Sequence, residues 1–257
     1  MIALFVMKLA AGITLMWWLM PRREVTDGFF RIQMRVALGL AVLAALLLTR
    51  AGTWDGSEDE VLAFTRMWQQ RLQIGVAIIA YFGSVFWALG RRGSGNLCIY
   101  LMAMAAVTSV FLHSWYAPTS CRVVQIISDV ASSAVCGSVL TGMLLGHWYL
   151  TTPTMSTRPL TWFNGMIVVA ALLRLVASGV MVFNEGIMMP GTTHWIWLAV
   201  RWIGTIVVPL VVAALVWRIM KYRNTQSATG VLFAGLILVL MGEMSGALLE
   251  RDLTIPY

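Results

Sequence analysis

The chain has 257 residues, 60% of them hydrophobic and only 11% charged, and a mean hydropathy of +0.82. Soluble domains carry about 25% charged residues, so this chain cannot cover itself with a polar surface and a water-soluble globule is excluded. The formal charge of +7 is no nucleic-acid footprint, because the basic residues sit between hydrophobic segments.

Eight apolar runs approach or reach the roughly 20 residues a spanning helix needs. In chain order they are 2–20, 33–49, 72–90, 97–115, 123–148, 162–183, 195–217 and 229–248. Backbone groups in lipid must be paired within their own segment, so the runs are helices. They lack the dyad alternation of a membrane β-barrel. The expected fold is therefore an all-α integral membrane protein: an eight-transmembrane-helix bundle forming one polytopic domain over 1–257. Trp17, Trp18, Trp115, Tyr116, Trp148, Tyr149, Trp162, Trp195 and Trp217 fall at segment ends, as in the aromatic belts of membrane interfaces.

The first run is a spanning helix, not a cleavable leader, because Arg22 and Arg23 follow the apolar stretch instead of preceding it. One set of loops carries ten basic residues (Arg22, Arg23, Arg31, Arg35, Arg91, Arg92, Arg158, Arg218, Lys221, Arg223) against Glu24 and Asp27. The alternate set carries Arg50, Arg66, Arg71, Arg122 and Arg251 against Asp55, Glu58, Asp59, Glu60, Glu185, Glu250 and Asp252. The positive-inside rule places the first set in the cytoplasm and both termini on the extracytoplasmic side of a cell membrane. The longest loop, near 50–71, contains DEVLAFTRMWQQR, which reads as a short interfacial helix.

Five charges remain inside the runs: Lys8, Asp129, Arg174, Arg201 and Glu243. A central charge costs about 2.5–3.5 kcal/mol on insertion scales, so such residues face the bundle interior or a wet cavity. At 1.5 Å rise per residue, Lys8, Asp129, Arg201 and Glu243 each lie roughly 9 Å below the outer surface. Arg174 lies deeper, near the midplane. The economical arrangement is one outward-facing polar pocket, with Arg174 as its floor or paired to Asp129 or Glu243. Asp129 and Glu243 are the candidate proton-handling, catalytic groups. Lys8, Arg174 and Arg201 are the candidate cofactor-binding cations. Helix-pinning ion pairs are the other reading of the same charges.

His113 and His194 sit at outer helix ends and join the candidate cofactor-binding set, either exchanging protons or ligating one bis-histidine haem b. His147 lies at the other end without a partner. Cys98, Cys121 and Cys136 form no CxxC pair, so no structural metal is expected. No nucleotide-binding or hydrolase motif is present. Gly242-xxx-Gly246 permits close helix packing next to Glu243, and Pro209 is positioned to kink the seventh helix.

The N-terminal ALFVMKLAAGITL and the C-terminal ATGVLFAGLILVLMGEMSGALL resemble the first and last helices of the polysulfide-reductase (NrfD-type) and dimethyl-sulfoxide-reductase membrane-anchor families. The matching positions are Met7–Gly12, containing Lys8, and Gly242–Gly246, containing Glu243. The resemblance implies a helical bundle with a quinone pocket toward the outer face. It implies no redox cofactor of the subunit's own, and a docked iron–sulfur subunit.

The expected function is a membrane subunit of a multi-subunit respiratory, electron-transfer complex. It would anchor its partners, an iron–sulfur or cytochrome subunit among them, and bind quinone or quinol alongside bound lipids. Any oxidoreductase activity would belong to the complex. A small-anion or proton transporter and a purely structural membrane subunit remain open as alternatives.

Overall fold

The computed structural model describes residues 1–51, 60–117, 122–152, 154–187 and 189–253. Asp55, Glu58, Asp59 and Cys121 lie outside the described residues. The described residues are helical and contain no strand. The helices are α1 (Ile2–Leu19), α2 (Asp27–Ala51), α3 (Glu60–Ala88), α4 (Arg92–Tyr116), α5 (Arg122–Thr151), α6 (Arg158–Glu185), α7 (Thr192–Trp202), α8 (Val208–Met220) and α9 (Thr225–Leu253). One π-helical turn, Ile203–Val207, joins α7 to α8 into a single rod. Counting that rod once, eight helices among the described residues are long and apolar enough to cross a membrane, as expected of a multi-pass membrane protein.

Every expected span is present, and most extend past the apolar run because polar residues at the ends still complete helical hydrogen bonds. The expectation of a short interfacial helix is corrected. Glu60–Arg71 runs without a break into the third span, so α3 is one helix of 29 residues. Nothing in that stretch stops a helix: it holds neither proline nor glycine. The π turn ends just before Pro209. Proline has no N–H to donate to the carbonyl four residues back, and a wider turn absorbs that missing bond without a break.

Burial separates two inner helices from the rest. In α1 and α5, 67% and 72% of the spanning window is buried, against 33–44% in the others. The central helix α5 packs against α1 and α4 on one side and α6 and α9 on the other. Helices α1 to α4 thus form one lobe and α6 to α9 the second, with α5 as the seam.

Contact at the seam depends on residues without side chains. A Cβ on Gly12 of α1 would lie 2.0 Å from the carbonyl oxygen of Ser133, and one on Gly137 would lie 2.2 Å from the carbonyl carbon of Gly12. The α1 and α5 backbones therefore touch, which only glycine allows. The second lobe repeats the device: Cβ atoms on Gly204 and Gly242 would lie 2.9 and 3.1 Å from one another's Cα. This bears out the close packing expected at Gly242-xxx-Gly246.

Candidate functional site

The seam helix is polar along its buried length. Gln125, Ser128, Asp129, Ser132, Ser133, Ser138 and Thr141 are all buried. A helix can carry such a row because hydroxyls donate back to its own carbonyls, as Ser133 does to Asp129 (2.8 Å) and Ser138 to Val135 (3.1 Å). Gln125, Ser128 and Asp129 of the row meet charged side chains of neighbouring helices.

Toward the first lobe, Lys8 Nζ of α1 pairs with Asp129 Oδ1 at 2.6 Å. The other carboxylate oxygen accepts from Ser114 Oγ of α4 at 2.6 Å and from Gln125 Nε2 at 3.2 Å. Gln125 Nε2 also donates to Glu250 Oε1 at 2.6 Å, tying the pair to the end of α9. His113 directly precedes Ser114 on α4, at the level of this pair. Lys8 and Asp129 are 7% and 0% exposed, so the pair is dry. A buried ion pair is tolerable only when its remaining lone pairs and protons are also satisfied, and Ser114 and Gln125 do that for Asp129.

Toward the second lobe, Arg201 Nη1 of α7 lies 3.6 Å from Glu243 Oε2 of α9. Gly246 explains how a guanidinium fits between those helices, since a Cβ there would lie 1.4 Å from Arg201 Nη1. Arg174 of α6 donates from Nη1 to Ser128 Oγ at 2.7 Å. Gly142 of α5 faces Phe163 and Ile167 of α6. That register sets the Arg174 backbone opposite about residue 133, so its side chain climbs roughly 7.5 Å along the bundle to reach Ser128. Of the two places expected for Arg174, the floor of the level or beside Asp129 and Glu243, its head group takes the second, one residue from Asp129. Arg201, Arg174 and Lys8 are the cations acting on Glu243, in that order.

The structure accordingly brings Lys8, Asp129, Arg174, Arg201, Glu243 and His113 to one level around α5. His194 does not join them. At the start of α7 its Nε2 lies 3.9 Å from Asp252 Oδ2, and its ring meets Trp197 edge-on. Among the described residues, no group of three or more His, Cys, Asp or Glu is placed to hold a metal ion. Sequence reasoning missed Ser114, Gln125 and Ser128. The signal for Gln125 and Ser128 was the hydroxyl-rich run QIISDVASSAVCGS, too polar for a helix that faces only lipid, whereas Ser114 carried none.

Two spaces lie near this level, one lined by Ser114 and the other by His113. A narrow groove offering about 70 Å³ to water runs between α1, α4 and α5. Val107, Phe111 and Val130 form its exposed rim, and Ala11, Val110, Ser114 and Ser133 line its buried side. Apart from those two serines it is apolar. A second, more polar cavity lies at the end of α1, α3 and α4 and reaches His113.

The fold and site define an all-helical bundle of eight membrane-length helices, with its ionisable side chains gathered on a polar central helix. No protein-family model, curated protein or solved structure matches the chain.

Proposed function

We propose that the protein is a multi-pass membrane subunit of an electron-transfer complex and that it binds quinol or quinone in the groove between α1, α4 and α5. One observation carries this reading. The groove is apolar and open at the outward-facing rim of Phe111 and Val130, and it ends on Ser114, whose hydroxyl donates to Asp129. A quinone needs an apolar slot for its tail, polar groups at one depth for its ring oxygens, and a protonatable group beside them. Ser114, Asp129 and Lys8 supply the last two. With the basic loops in the cytoplasm, the groove head lies on the extracytoplasmic half. The resemblance of the first and last helices to the quinone-binding anchor families points the same way.

The charges of the second lobe take a different role. Arg201 sits in the space left by Gly246 and Arg174 is seated on Ser128, which favours these two cations and Glu243 as pins holding α6, α7 and α9 to the seam. Electrons leave through a partner subunit carrying an iron–sulfur cluster or a c-type haem.

Photolabelling of native membranes with an azidoquinone tests the reading. Labelled peptides should come from 107–114 and 126–133, and Ser114→Trp should abolish them. Labelling elsewhere, or labelling indifferent to Ser114→Trp, overturns the groove. A lone, colourless protein that moves anions across liposomes overturns the electron-transfer reading.

A further inference from the structure

A larger cavity lies at the other end of the bundle, where α5 ends and α6 and α9 begin. It offers about 490 Å³ to water, far above the roughly 10–15 Å³ that one water needs. Its walls include Tyr149, Thr154, Ser156, Thr157, Arg223 and Thr225. The Tyr149 hydroxyl donates to the Ser156 carbonyl, and the Met155 N–H donates to the Thr152 carbonyl at 3.2 Å, so the segment before α6 is held against α5. The lining carries one charge, Arg223, and no acid. Among the described residues, nothing pairs with its guanidinium, and the hydroxyls of Thr154, Thr157 and Thr225 make no hydrogen bond. Glu24, the acid at the edge, is already engaged by Arg158 Nη1 at 2.9 Å and by Ser156 Oγ at 3.3 Å. Arg223 stands in a left-handed turn (φ 52°) that favours glycine, so the chain presents a long cation where a bare backbone would fit more easily.

We propose that this cavity binds the phosphate of an anionic phospholipid of the cytoplasmic leaflet, with Arg223 as its counter-charge and Thr154, Thr157 and Thr225 as hydroxyl donors. Its surroundings lie at the depth of lipid headgroups. Trp217 and Tyr222 are exposed beside it, and Lys221 Nζ lies 3.8 Å over the Trp217 ring. Such amphipathic rings sit at headgroup level. With the basic loops in the cytoplasm, a basic cavity between helix ends on that side suits an anionic headgroup. A headgroup seated there bridges the ends of α5, α6 and α9. Tyr149 lies about 24 Å along α5 from Ser133 by helical rise, so the site stands apart from the quinone groove and does not depend on it.

Native mass spectrometry of the whole detergent-solubilised protein provides the test, with phosphatidylglycerol, phosphatidylcholine and inorganic phosphate as probes. The expected result is retention of phosphatidylglycerol in preference to phosphatidylcholine, weakened about fivefold by Arg223→Gly. Glycine suits the backbone of that turn, so the variant removes the charge without distorting it. Arg31→Gln, an equal change of charge at an exposed site on α2, should leave retention unaltered. Equal retention of the two lipids, or retention indifferent to Arg223→Gly, overturns the proposal. Arg223-dependent binding of inorganic phosphate without retained phosphatidylglycerol assigns the cavity to a soluble phosphate and overturns the lipid. The comparison of lipids needs only unmutated protein, so it decides the matter even where Arg223→Gly does not fold.

Discussion

Gly12→Ala tests whether the seam depends on backbone contact between α1 and α5. The added methyl carbon would start 2.0 Å from the Ser133 carbonyl oxygen and 2.9 Å from the Gly137 Cα. Both obstacles are backbone, so no side chain can rotate away and the helices must part by at least about 1 Å. Overpacking of this kind costs about 1–3 kcal/mol, and the upper half applies where neither wall yields. Gly165→Ala is the matched control, because a Cβ there meets nothing within 4 Å on an exposed face of α6. That change gains up to about 1 kcal/mol of helix preference. The two variants should differ by about 2–4 kcal/mol, which for a chain this size is roughly 5–10 °C in midpoint. Tryptophan fluorescence during thermal unfolding in detergent reads the difference, the chain having twelve tryptophans. Equal midpoints for Gly12→Ala and Gly165→Ala refute the contact and, with it, the register that brings Lys8 to Asp129.

Lys8→Met leaves the Asp129 carboxylate buried without its cation. The expected loss is about 3–5 kcal/mol, with more than half recovered in Lys8→Met/Asp129→Leu by a double-mutant cycle. Gly246→Ala should expel the Arg201 guanidinium and lower assembly and turnover together, measured as complex recovered and activity per complex. A fall in turnover with assembly intact contradicts the pin. Arg174→Met should likewise weaken assembly before it weakens quinone labelling. In a background with the three cysteines replaced, Ser156→Cys should react with membrane-impermeant maleimide only in inverted vesicles. Gly191→Cys should react only in right-side-out ones, and the same sidedness for both sites contradicts the assigned topology.

The spans were legible because each is a long apolar run with few charges, and the common depth of Lys8, Asp129, Arg201 and Glu243 followed from counting residues. Lateral placement was not legible. Helical rise fixes height but not azimuth, and nothing in the sequence alone says that Lys8 meets Asp129 across 120 intervening residues. The sequence could not choose between the two places for Arg174, because height was counted at its Cα, whereas its long side chain carries the charge roughly a turn and a half away. The Glu60–Arg71 stretch was misread because its charges suggested an interface, although nothing in it ends a helix. His113 and His194 looked equivalent by position, yet only His113 sits beside Ser114, which donates to Asp129.

The distance along the chain between Lys8 and Asp129 has a consequence for biogenesis. At about 5–20 residues per second of synthesis, the ribosome needs roughly 6–24 s after making Lys8 before its counter-ion emerges. Throughout that interval the first helix, if released into the bilayer, holds an uncompensated ammonium within reach of one surface. Arg201 waits only a third as long for Glu243. The first helix is therefore the one that most needs a protected berth beside the insertion machinery until the fifth arrives to neutralise it.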